Sequence, residues 1–106
     1  MDTRLSDVRI DAMNKVDAFA KKVSTLFATM GYTWSNRPGP AYVPTHADIA
    51  DTLIALICEG CRTAEKNNGC AVVSTGRLQV RYWVGSTGRQ YCTLEFVPAH
   101  CEVYSY

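Results

Sequence analysis

Three features of the chain predict an α+β fold. Two stretches carry apolar residues at spacings of three and four, the pattern reverts to strict alternation after Gly69, and glycines divide the alternating region into short pieces. The expected arrangement is two amphipathic helices, about 3–30 and 46–67, on one face of a small antiparallel sheet with strands at about 70–74, 77–84 and 89–97. At 106 residues, with 47% hydrophobic and 20% charged side chains, the chain supplies one modest core, so residues 1–106 form a single domain.

The first helix follows from Leu5, Val8, Ala12, Val16, Phe19, Val23, Leu26, Phe27 and Met30, which recur on one face with Asp, Lys and Arg between them. Asp2, Thr3 or Ser6 suits its start, and Gly31 suits a left-handed residue at its end. The stripe lacks a consistent Leu or Ile seam, with Ala12 and Phe19 where a coiled coil places aliphatics, so it predicts packing within the domain and leaves the oligomeric state open.

Tyr32 to Pro44 holds three of the four prolines with Trp34, Arg37 and Tyr42. Proline restricts itself and its predecessor, so the segment is extended or turning. A connection of this length either packs its own aromatics over the core or serves recognition. The second helix begins at a capping box, Thr45 with Asp48 three residues on; Ile49, Leu53, Leu56, Ile57, Cys61 and Ala64 make its apolar face, and Asn67-Asn68-Gly69 stops it.

Arg77 to Val97 is the centre of the sheet. Leu78, Val80, Tyr82 and Val84 alternate with Arg77, Gln79, Arg81 and Trp83, and the returning strand sets Cys92, Leu94 and Phe96 against Tyr91, Thr93 and Glu95. A two-residue loop of Ser86 and Thr87 is excluded, because it turns Leu94 and Phe96 to the wrong face. Loops of three or five residues both keep the faces consistent, with Val80 opposite Cys92 or Leu94. Before this hairpin, Thr75-Gly76 is read as a tight turn that sets Val73 against Leu78 and Ala71 against Val80; the alternative is one bent strand with a bulge at Gly76. After Pro98 the alternation resumes as an edge strand or tail containing His100 and Cys101.

Charge and motifs narrow the chemistry. A net charge of +1, spread evenly, gives no electrostatic case for nucleic acid or an anionic membrane. No run reaches the ~20 apolar residues that span a bilayer and the start lacks a signal-peptide core, so a cytoplasmic location is expected. Cys58 and Cys61 form a CxxC, but they lie late in a helix and beside its apolar face, and neither the remaining cysteines nor His46 and His100 supply a second pair at zinc spacing. Asp48 and Asp51 are read as a helix cap and a solvated face. There is no phosphate loop, HExxH or GxSxG, and the expectation is a non-enzymatic chain without metal or cofactor.

What remains is a binding module. Arg77, Arg81, Trp83 and Tyr91 on the face opposite the helices, joined by Trp34, Arg37 and Tyr42 from the proline-rich loop, are the residue types enriched at binding hot spots. The competing structural reading pairs Arg with Glu95 and stacks it on the aromatics. Two helices followed by a short ribbon, with VSTGRLQVRYW leading into it, resemble small accessory proteins of bacterial viruses, including anti-CRISPR inhibitors. That resemblance implies a cofactor-free stoichiometric inhibitor that binds a host protein complex in the cytoplasm. The alternatives are a nucleic-acid-binding domain using the same ribbon and a small zinc or redox protein built on Cys58 and Cys61.

Overall fold

The computed structural model describes residues 4–30, 32–34 and 43–97. The element order is α1 (Arg4–Met30), α2 (His46–Lys66), β1 (Ala71–Thr75), β2 (Leu78–Val84) and β3 (Gln90–Phe96), and the strands form one antiparallel sheet in the order β1-β2-β3. The predicted α+β architecture is the one observed.

The 27-residue α1 is about 40 Å long at 1.5 Å per residue. Its inward row is Leu5, Ala12, Val16, Ala20, Val23 and Phe27, while Asp11–Lys15 (2.9 Å) and Asp17–Lys21 (3.3 Å) pair one turn apart on the outside. The proposed start residues Asp2 and Thr3 and the stop residue Gly31 lie outside the described residues, and Ser6 is inside the helix.

Thr45 and Asp48 start α2 with a complete capping box: Asp48 N–H donates to Thr45 Oγ1 (3.2 Å) and Thr45 N–H to Asp48 Oδ2 (3.1 Å). Asn68 (φ 59°) and Gly69 (φ 92°) carry the left-handed backbone after its last turn, and Gly69 N–H donates to Ala64 O (2.6 Å). His46 lies 3.0 Å from Asp17, whereas Cys61 lies near Arg9, so the helices run antiparallel. They form one layer, α1 over β3 and α2 over β1 and β2.

The two layers approach closely at Gly60. A Cβ there would stand 2.7 Å from the Tyr82 ring, and the Tyr82 hydroxyl donates to Ile57 O (3.1 Å). Leu78, Val80 and Tyr82 are buried beneath the helices together with Ile49, Leu53, Ile57 and Phe27. Burying such side chains contributes about 1.5–3 kcal/mol each before the entropy of ordering them is subtracted.

The hairpin register resolves to the longer loop. Val84 pairs with Gln90 and Val80 with Leu94, leaving Gly85–Arg89 as the five-residue connection. Gly88 N–H closes a turn on Gly85 O (2.9 Å), and the positive φ of Gly88 (82°) brings the chain back. The β1–β2 register differs from the expected one. Thr75 faces Leu78, Val73 faces Val80 and Ala71 faces Tyr82, so the turn is Gly76-Arg77 and not Thr75-Gly76. The shift is two residues, which preserves every side chain's face and so escapes an argument from alternation alone. What selects it is Gly76, with φ 53° at the first loop position of a two-residue hairpin and the indole of Trp34 lying against it. These are two separate strands, not one bent strand with a bulge. The tail after Val97, with His100 and Cys101, lies outside the described residues.

Candidate functional site

The face of the sheet turned away from the helices is laid out in three rows by the strand registers. Trp83 stands beside Tyr91; Val72, Arg81 and Thr93 form the next row; Ser74, Gln79 and Glu95 form the third. The Trp83 and Tyr91 rings are stacked, with centroids 5.3 Å apart and 17° between their planes. Arg89, arriving from the hairpin loop, lies over the Tyr91 ring, 5.9 Å from its centroid. Tyr91 is 38% exposed and Val72 57%, so the rows present apolar and aromatic surface to solvent.

Glu95 corrects the expectation of a wholly wet face, since it is only 1% exposed. Its carboxylate accepts from Gln79 Nε2 (2.8 Å) and Thr93 Oγ1 (3.2 Å), and Arg81 Nε stands 3.6 Å from Oε1. That last separation is too long for a hydrogen bond and short enough for a Coulombic contact. A buried carboxylate needs such partners, because desolvating it alone is prohibitive. The result is a guanidinium, 30% exposed, whose position is set from below by a buried charge.

The seven residues singled out in the sequence do not form one patch. Arg81, Trp83 and Tyr91 share the open face. Arg77 sits in the β1–β2 turn, where its Nε donates to Thr33 O (3.0 Å) and its guanidinium covers the Tyr32 ring at 5.5 Å. Trp34 packs on Gly76 and on Phe27 (6.1 Å), in an aromatic cluster with Tyr32 and Phe96 that closes one end of the core. The reason is connectivity: the chain leaving α1 passes the turn end of the sheet, so its aromatics cap the core there. Arg37 and Tyr42 lie outside the described residues. Sequence reasoning missed Arg89, whose loop position hid that it reaches Tyr91, and Val72, whose β1 register brings it beside Arg81.

The thiols are free at Cys58, Cys61, Cys70 and Cys92. Cys61 is buried, its Sγ 3.8 Å from Glu65 Oε1, and burial with the Glu65 charge raises its pKa. Burial pushes Cys92 up to about 11, against the pull of a hydrogen bond with Tyr82. Raised values mark these thiols as protonated and poor ligands or nucleophiles. Among the described residues no group of three or more His, Cys, Asp or Glu is placed to hold a metal ion. No helix there is long and apolar enough to cross a membrane. No protein family, curated protein or solved structure matches the chain.

Proposed function

We propose that the chain is a cofactor-free protein-binding module whose contact surface is the open sheet face around Arg81, Trp83 and Tyr91, extended by Arg89 and Val72. The observation that carries this reading is the stacked Trp83–Tyr91 pair next to an arginine braced by a buried glutamate. Aromatic and Arg side chains held rigid before binding lose less entropy on association, which is what turns exposed area into affinity. A phosphate backbone is a poorer fit. Arg81 is already matched by Glu95, Arg89 lies over an aromatic ring, and the net charge is +1.

The narrower proposal, a phage-encoded inhibitor that occupies a bacterial defence complex with fixed stoichiometry, rests on the resemblance in element order and makes such complexes the partners to test first. Native mass spectrometry of the chain mixed with a purified CRISPR effector complex tests it, and absence of a defined-ratio assembly would remove the inhibitor reading. For the binding face itself, a tagged chain is used to recover a protein partner. Trp83→Ala is then expected to weaken that complex about 30-fold, as loss of a roughly 2 kcal/mol anchor requires, while circular dichroism stays unchanged. Unchanged affinity, or recovery of nucleic acid whose binding collapses with salt, would overturn the reading.

A further inference from the structure

The open face of the sheet has hydrogen-bonding capacity that the fold leaves unspent. Glu95 divides its carboxylate between Gln79 and Thr93 and stands 3.6 Å from Arg81 Nε, outside hydrogen-bond range. Nothing among the described residues accepts a hydrogen bond from Arg81, and its buried Nε has no partner. The guanidinium therefore has its charge balanced from below while its N–H groups stay available. A donor set whose charge is already balanced selects a neutral acceptor, such as a main-chain carbonyl, over a carboxylate or a phosphate.

Beside Arg81, the indole of Trp83 has one covered side and one open side. Tyr91 stacks on it from β3, and Arg89 lies on Tyr91 in turn. Towards β1 the ladder begins only at Ala71, level with Tyr82, so no strand residue stands across from Trp83. The first open-face residue of β1 is Val72, 57% exposed, which pairs with Arg81 and is the diagonal neighbour of Trp83, about 7–8 Å away. Two adjacent rows thus present a flat aromatic, an aliphatic side chain and uncommitted donors together.

We infer that this surface binds a proline-rich segment in the polyproline II conformation; the inference rests on the open-face reading and names its occupant. Backbone conformation decides the choice. An α-helix spends its carbonyls internally except in its last turn, and an added strand hydrogen-bonds to a sheet's edge, not to its face. A polyproline II segment makes no internal hydrogen bonds, leaves its carbonyls open to a donor such as Arg81, and packs its rings on aromatic side chains. Its proline nitrogens carry no N–H, and this suits a face whose one acid, Glu95, is buried and already engaged.

The probe is a fluorescein-labelled nonapeptide of prolines, with a Gly-Ser peptide and a Pro-Pro-Glu repeat of equal length as controls, titrated into the whole chain by anisotropy. Saturable binding of the proline peptide is expected, with affinity nearly constant between about 50 and about 500 mM salt and a chemical-shift change at the Trp83 indole N–H. Trp83→Ala is expected to lower the affinity about tenfold. Arg81→Lys, which keeps the charge and loses the planar fork, is expected to lower it about fivefold, with circular dichroism unchanged in both variants. No saturable binding, equal binding of the Gly-Ser peptide, tighter binding of the glutamate repeat, or an affinity indifferent to both substitutions would overturn the inference. Failure of the proline peptide alongside a protein partner still lost on Trp83→Ala would remove this occupant and leave the open-face reading standing.

Discussion

Gly60→Ala separates helix propensity from layer packing at one position. In a solvated helix interior alanine is favoured over glycine by about 0.8–1.0 kcal/mol. At Gly60 the added methyl would lie 2.7 Å from Tyr82 Cε2, 3.0 Å from Cδ2 and 3.1 Å from Val73 Cγ2. The ring is not free to retreat, because Tyr82 is buried and its hydroxyl is tied to Ile57 O on the same helix. Forcing a methyl into a filled site costs about 1–3 kcal/mol, which offsets or outweighs that gain, so the substitution is expected to destabilise the fold by up to roughly 2 kcal/mol net. Urea unfolding would read this directly, and the melting temperature should fall by about 4–8 °C per kcal/mol. In a Tyr82→Leu background the ring is gone and Val73, half-buried on the edge strand, has room to shift. There the same Gly60→Ala change is expected to be neutral or stabilising, giving a coupling of about 2 kcal/mol. Stabilisation by Gly60→Ala in the natural chain, or equal effects in both backgrounds, would refute the close approach of α2 to the sheet.

Two further outcomes follow from the buried polar groups. Burial raises the Cys92 thiol from 9.0 to about 11 and holds the Tyr82 phenol far above its ordinary value. Both therefore ionise first in the unfolded chain, so stability is fully present below about pH 9 and falls as pH rises towards about 11; urea midpoints across that window should decline, and less steeply in Cys92→Ala. Glu95→Ala leaves the Gln79 amide without its acceptor and the Arg81 guanidinium without its counter-charge and is expected to cost about 1–3 kcal/mol in urea unfolding, whereas an effect near zero would mean that solvent reaches the site.

The elements were legible in the sequence because each rests on a local pattern. The apolar rows of α1 and α2, the Thr45–Asp48 box and the Asn68-Gly69 stop need no knowledge of distant residues. The alternation of β2 and β3 likewise set Leu78 and Val80 inward and Arg81 and Trp83 outward, as observed. Register was legible only modulo two residues, since a shift of two conserves every face. Alternation therefore admits a Thr75-Gly76 or a Gly76-Arg77 turn and a three- or five-residue hairpin loop alike, and only the packed sheet selects the second of each.

The site divides along the same line. That Arg81, Trp83 and Tyr91 share a face is a consequence of parity, which the chain carries in its order of residues. That Arg77 and Trp34 leave the face for the core's end, that Glu95 is buried under Arg81, and that Arg89 reaches Tyr91 were decided by which segments meet in space. A side chain's direction along a strand is set by its neighbours in sequence, whereas its burial and charge partners depend on chains that cross it, and only the packed domain brings those together.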